Sequence, residues 1–241
     1  MATEDVKSIS SEVEVLNLNS YDNSEETCDK IKEVPHTQGG RLPIVREDVQ
    51  LPDDFEGKLA FVLYNVFTKE ECEDYINRTE TMGYADALVN IGGGRQIKMS
   101  DVRNNTRCIW DTVEEADRIW QRIKEHVPEE FKTHKVLGLN ERLRFLKYKP
   151  GEYFKPHMDG SYFRDNGEKS FVTIQLYLNE GFEGGSTTFM DFDEINPVEV
   201  VPKTGSILVF QHDIMHEGSL LKKGKKYAMR TDVMYSATSS S

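Results

Sequence analysis

RFLKYKPGEYFKPHMDG, residues 144–160, is a strand pattern interrupted at Pro150-Gly151 that ends in a His-x-Asp step. Alternate side chains of an extended chain share a face, so His157 and Asp159 project together while Met158 points away. An imidazole and a carboxylate therefore lie side by side, two donors of a metal site. The best third donor is His216 in HDIMHEG, 57 residues beyond Asp159 and after several more strand-like runs. His212 in the same run is the alternative, because a 212/216 spacing sets two ligands one helical turn apart, as in zinc sites. The strand-like SILVFQ before it and the flanking Gly205 and Gly218 argue against a helix there. In a strand the two histidines would stand about 13 Å apart, at ~3.3 Å per residue. His36, His126 and His134 are expected at the surface.

From Glu141 onward the chain breaks into short strand-like runs at about 142–149, 152–158, 170–179, 185–190, 198–201, 206–211, 214–219 and 226–235, separated by Gly, Pro, Asn and Asp. So many short strands fit two facing antiparallel sheets. Upstream, residues 59–67 read as a buried strand. Thr68 and Glu71 have the form of a capping box, which starts a helix over 69–82 with Cys72, Tyr75, Ile76 and Thr79 at helical spacing. A second helix over 113–126 carries Ala116, Ile119, Trp120 and Ile123, and Pro128 ends it. The expected fold is mainly β with flanking helices (α+β): a double-stranded β-helix, or jelly roll, with two or more N-terminal helices packed on one sheet. Between the helices, Gly92–Gly94 reads as a mobile loop, and DVRNNTRCIWD as a polar loop or a wall of the cleft.

With 30 Lys and Arg against 42 Asp and Glu, the net charge of −12 makes nucleic acid an improbable partner, since phosphate binding rests on an excess of cations. Cys28, Cys72 and Cys108 are odd in number and far apart, which suggests neither a disulfide framework nor a cysteine zinc site. Neither a signal peptide nor a membrane-spanning run is evident, so a cytoplasmic or nuclear protein is expected. Residues 1–34 hold nine acidic and three basic residues with few apolar ones, a composition of disorder. HTQGGRLP then serves as linker, giving a tail over 1–45 and a folded domain over 46–241.

Two His and one carboxylate on one face of a metal leave the opposite positions open, the pattern of non-haem Fe(II) oxygenases. In GKKYAMRTDVMY, Lys226, Ala228, Arg230 and Asp232 share one strand face and Tyr227, Met229 and Val233 the other. A cation on an inner face is costly unless an anion meets it, and a small-molecule carboxylate is the natural one. Pairing of Lys226 with Asp232 or another protein carboxylate is the alternative.

Residues 59–236 resemble the 2-oxoglutarate and Fe(II)-dependent dioxygenases, in their prolyl 4-hydroxylase-like branch. The matching motifs are Tyr148-Lys-Pro-Gly151, His157-Met-Asp159, Tyr177-Leu-Asn, Gly184-Gly-Ser-Thr187-Thr-Phe189, Pro202-Lys-Thr-Gly205, His216-Glu-Gly218 and Gly224-Lys-Lys226-Tyr227. The resemblance implies Fe(II) on His157, Asp159 and His216. It implies 2-oxoglutarate with its far carboxylate on Lys226, ten residues after His216, and Tyr148 and Thr187 lining the same pocket. Arg230 ranks second to Lys226. It further implies O2 as co-substrate, ascorbate as reductant, and hydroxylation of an unactivated C–H bond, a prolyl or other residue of a polypeptide first. A free amino acid or small metabolite is the alternative substrate, and a non-catalytic metal-binding module the alternative from another class. The loops DALVNIGGGRQIKMSDVRNN and SYFRDNGEKS are expected to close over the substrate. Net acidity favours basic or neutral peptide segments over nucleic acid. Members acting on peptidyl proline often carry an Arg where this chain reads Glu168-Lys169-Ser170, for which Arg164 or Lys169 are candidate substitutes. Deleting residues 1–34 is expected to leave the thermal midpoint of unfolding close to that of the full chain, measured by calorimetry.

Overall fold

The computed structural model describes residues 41–90 and 95–237. The expected acidic tail and the Gly92–Gly94 loop lie outside them, and so does His36. Among the described residues no helix is long and apolar enough to cross a membrane.

Period-2 alternation dominates the C-terminal half, and its strands pair antiparallel in two main sheets, beside two two-stranded ribbons, Glu183–Gly184 with Leu221–Lys223 and Val89–Asn90 with Gln96–Ile97. The larger has ten strands, running Val45–Asp48, Ala60–Tyr64, Ile207–Gln211, Lys169–Tyr177, Lys226–Tyr235, Arg142–Tyr148, Thr106–Asp111 and Ala85–Asp86, with His134–Leu139 also on Lys226–Tyr235 and Glu130–Phe131 on His134–Leu139. The smaller orders Phe154–His157, His216–Gly218, Thr187–Phe189 and Val198–Val200. One face of the large sheet sends Val62, Tyr177, Leu208, Phe210 and Ala228 into a cluster with Phe189 and Val200 of the small sheet. Its other face sends Phe61, Leu63, Phe145, Ile174 and Met229 into a cluster with Cys72 and Tyr75 of α1 (Lys69–Met82) and Ala116, Ile119 and Ile123 of α2 (Val113–Ile123).

The α1 capping box forms in both directions: the Glu71 amide donates to Thr68 Oγ1 at 3.3 Å and the Thr68 amide to Glu71 Oε2 at 2.9 Å. Glu71 also accepts from Arg122 of α2 at 2.7 Å, so one residue caps a helix and ties it to its neighbour. Hydrogen bonds from Arg122 hold its carboxyl down to about 2. Burial pushes the Cys72 thiol up to about 12, in keeping with packing rather than reactivity.

Three expectations change. The second helix ends as α-helix at Ile123 and continues as a 3-10 turn, Lys124–His126. The DVRNNTRCIWD segment is largely strand: Thr106–Asp111 pairs with Arg142–Tyr148 along its whole length, which its polar residues hid because one face meets the cleft. His134 is buried, not superficial, with Nδ1 2.6 Å from the Ser236 carbonyl oxygen; it opens the unforeseen strand His134–Leu139.

Gly205 marks a tight backbone approach to Phe67, the residue before the α1 N-cap. It has φ +78°, and a Cβ there would lie 2.0 Å from the Phe67 carbonyl oxygen. Gly57 has the same φ with nothing within 4 Å of a Cβ. Gly205→Ala is therefore expected to destabilise by at least about 3 kcal/mol, from clash plus strain. Gly57→Ala should cost only about 1–2 kcal/mol. Urea unfolding of both variants checks the difference.

Candidate active site

His157 ends one strand of the small sheet and His216 begins its antiparallel partner, and the two are paired in register. Their rings stand 4.4 Å apart between centroids. Asp159, two residues on, is held by its amide donating to the His212 carbonyl at 2.9 Å. It faces both rings, with His157 Nε2 and His216 Nε2 each 3.8 Å from a carboxylate oxygen. One ligand atom from each residue falls within 4.8 Å of the others.

The protonation of this set follows from its hydrogen bonds. His157 Nδ1 lies 2.8 Å from the Lys155 carbonyl and His216 Nδ1 2.9 Å from that of Ile214. A carbonyl only accepts, so each Nδ1 carries the proton and each Nε2 keeps a lone pair toward Asp159. Burial, with the neighbouring His216, pushes His157 down to about 3, and burial lowers His216 as well. For Asp159, burial works to raise the carboxyl, but Arg230 and the two imidazoles outweigh it and hold it below the ordinary carboxylate range. Its oxygens accept from Thr173 Oγ1 at 2.6 Å and Arg230 Nη1 at 2.9 Å. Two neutral imidazoles and one ionised carboxylate with an open side suit a single divalent iron.

The adjoining cavity is lined by Tyr148, Gln175, Thr187, Lys226 and Arg230 beside His157, Asp159 and His216. Lys226 is 2 % exposed, and its Nζ donates to the Gly185 carbonyl at 2.6 Å. It sits 5.2 Å from the Tyr148 ring centre, and no carboxylate meets it among the described residues. Burial pushes it down to about 7. Such a cation, lining the same cavity as the metal donors, matches a keto dicarboxylate in charge. Thr187 Oγ1 accepts from both Gln175 Nε2 and Tyr177 Oη at 2.8 Å, which uses its lone pairs and leaves its own proton to donate. Arg230 lines the cavity, but its fork spans Asp159 and Asp232, the latter at 3.1 Å, where Arg144 also binds. His212 is buried outside the donor set; its Nε2 approaches Asp232 Oδ1 at 3.6 Å, and neither ring nitrogen has a hydrogen-bond partner.

Thr173, Gln175 and the Arg144–Asp232 pair were not singled out in the sequence. The available signal was polar residues at alternate positions of an otherwise apolar strand, FVTIQLY. Of the two expected loops, Leu88, Val89, Gln96, Ser161 and Tyr162 do line an outer cleft. Arg164 and Lys169 do not: Arg164 pairs with Glu141 and Glu168, and Lys169 lies over Phe171.

Residues 143–231 match the family model described as the 2OG-Fe(II) oxygenase superfamily. Similar curated proteins include prolyl 4-hydroxylase 1 of Arabidopsis thaliana, 29% identical over 53% of this chain and 45% of that protein. Probable prolyl 4-hydroxylase 3 of the same plant is 28% identical over 63% of this chain and 57% of that protein. The chain thus spans about half the length of these relatives. Among solved structures, the viral collagen prolyl hydroxylase of Paramecium bursaria Chlorella virus-1 aligns with a TM-score of 0.54 at 18% identity, over 75% of this chain and 98% of that one. A Trichoplax adhaerens prolyl hydroxylase, in complex with a hypoxia inducible factor peptide fragment, aligns at 0.56 and 14% identity, over 75% and 86%. The matched residues 143–231 include the three metal donors and Lys226, and the chain resembles the 2OG-Fe(II) oxygenase superfamily in its prolyl 4-hydroxylase-like branch.

Proposed function

We propose that the protein is an Fe(II)- and 2-oxoglutarate-dependent dioxygenase that hydroxylates an unactivated C–H bond, with a prolyl residue of a polypeptide as the first substrate class. The folded unit over 46–241 carries the activity in this reading. What supports it is the meeting in one cavity of three neutral or anionic metal donors with a buried lysine that no protein carboxylate neutralises. Bound iron and 2-oxoglutarate supply the oxidising chemistry: O2 is consumed, the keto acid becomes succinate and CO2, and one oxygen atom enters the substrate C–H bond.

The chain's own contribution is position and charge. His157, Asp159 and His216 would hold the iron. Lys226 fixes the far carboxylate of the co-substrate, and the Thr187 hydroxyl donates into the same cavity. Arg230 and Thr173 aim the Asp159 carboxylate and keep it ionised. Tyr148, Leu146 and Phe154 line the walls and restrict water.

Anaerobic addition of Fe(II) and 2-oxoglutarate should give a visible charge-transfer band, and air should then release succinate. His157→Ala and His216→Ala should lose both signals, while His212→Ala keeps them. Mass spectrometry of a treated proteome extract should find peptides gaining one oxygen atom. Gain on free amino acids alone would move the substrate to a metabolite, and a band without succinate under any condition would leave a non-catalytic module.

Lys226 gives a test in pH. Its folded value of about 7 lies below the ordinary 10.5, so between these limits the unfolded chain binds more protons. The stability of the ligand-free protein should therefore rise with pH across that window. Co-substrate binding should take up about one proton at pH 8.5, because the bound anion restores the charge. Calorimetry in two buffers of different ionisation enthalpy measures this, and Lys226→Met should abolish the uptake and weaken binding by roughly ten- to hundredfold.

A further inference from the structure

Outside the inner cavity lies a cleft whose lining includes Arg103, Arg107, Arg144 and Arg230 and, as its only carboxylates among the described residues, Asp159 and Asp232. This cationic wall stands in a chain of net charge −12. Its origin is the register of the large sheet. Arg144 stands directly opposite Arg230, and Arg107 opposite Leu146, which in turn opposes Ala228. With alternate residues on one face, Arg107, Arg144 and Arg230 share the cleft side of three adjacent strands. Like charges directly opposite each other destabilise a sheet unless anions intervene.

For half of the wall the anions are present. Asp232 bridges Arg144 and Arg230, each at 3.1 Å, and Asp159 takes the other side of Arg230 at 2.9 Å. For the other half they are not. Arg107 Nη2 donates to the neutral amide of Gln96 at 2.6 Å, and Arg103 Nε to that of Asn105 at 2.7 Å, with the Arg103 guanidinium 4.5 Å over the Phe154 ring. Burial lowers both guanidinium pKa values; around Arg103 the nearby Tyr148 and Asp159 oppose the lowering that Arg230 and Arg107 add, whereas around Arg107 only Arg144 and Arg142 act, both lowering it. Arg107 lines the outer cleft and not the inner cavity, whereas Arg103 lines both. The unpaired charge therefore faces the space where substrate enters, apart from Lys226.

We infer that Arg107 and Arg103 select substrates carrying a carboxylate close to the carbon that is hydroxylated. This rests on the dioxygenase reading above. The shared chemistry is a carboxylate received by two guanidinium groups with neutral partners, and it has two sources: an Asp or Glu side chain in an extended peptide, or the α-carboxylate of a free amino acid. It runs against the preference for basic or neutral segments that net charge alone suggests, because local charge governs over a screening length of about 8–10 Å.

The test uses the full chain loaded with Fe(II) and 2-oxoglutarate and positional peptide pools with one fixed proline. Each flanking position carries Glu in one pool and isosteric Gln in the other, and free amino acids form a second arm. Succinate formation should favour the best Glu pool over its Gln counterpart by roughly tenfold in kcat/KM. Arg107→Gln and Arg103→Gln should each bring that ratio toward one, and Arg107→Glu should turn the preference to Lys pools. Turnover confined to free amino acids and lost in Arg107→Gln would identify the α-carboxylate as the source. Equal use of Glu and Gln pools, with free amino acids unaffected by either substitution, overturns the inference, and so does a change confined to the KM for 2-oxoglutarate. Failure of the dioxygenase reading shows separately, as absence of the charge-transfer band and of succinate. In that event fluorescence anisotropy of labelled Glu and Gln pools decides: tighter Glu binding lost in Arg107→Glu supports the cleft assignment, and equal binding refutes it.

Discussion

A carboxylate taken out of water must be met by cations or donors, and burying the Asp159 side chain, 3 % exposed, imposes this demand at one point between two sheets. Thr173 and Arg230 meet it from the large sheet, and the imidazoles of His157 and His216 flank it from the small one. Arg230 in turn requires Asp232, which requires Arg144. The chain of obligations crosses three neighbouring strands, so the register of Lys169–Tyr177, Lys226–Tyr235 and Arg142–Tyr148 and the geometry of the donor set are one constraint. A one-residue slip of the middle strand would turn Arg230 and Lys226 into the apolar cluster that holds Met229.

Much of this was legible because strand period and ligand chemistry coincide. His-Met-Asp fixes two donors on one face, and GKKYAMRTDVMY fixes Lys226 and Arg230 on another, without knowledge of pairing. The capping box gave the start of α1 to the residue, since its two hydrogen bonds are local. What escaped depends on non-local partners. Thr173 is an ordinary strand threonine until Asp159 is folded over it. Thr106–Asp111 looked like loop because its polar residues serve the cleft, and His134 looked superficial because its acceptor lies a hundred residues away at Ser236. Lys226 against Arg230 was likewise open in the sequence. Their pairing differs: Arg230 is spent on Asp159 and Asp232, and Lys226 meets no carboxylate among the described residues, which favours Lys226 in the proposed reading.

Charge shows the same division between global and local. An acidic composition argues against a phosphate-binding face, yet says nothing about a cleft that three strands line with arginines. The sheet keeps Arg144 and Arg230 opposed by bridging them with Asp232, while Arg103 and Arg107 retain neutral amide partners at the entrance. In the proposed reading, stability and recognition thus fall to different arginines of one cleft.

Both ligand imidazoles are anchored in the same way, each Nδ1 to the carbonyl two residues earlier in the chain, Lys155 for His157 and Ile214 for His216. The orienting contact travels with the ligand in the primary chain. Divergence can therefore proceed unevenly: the hairpin and loops around the entrance can acquire, lose or exchange residues over generations without retuning the tautomer at the metal. A catalytic centre whose orientation is inherited locally can be handed intact from one substrate to the next, and new specificities need only be invented at the rim.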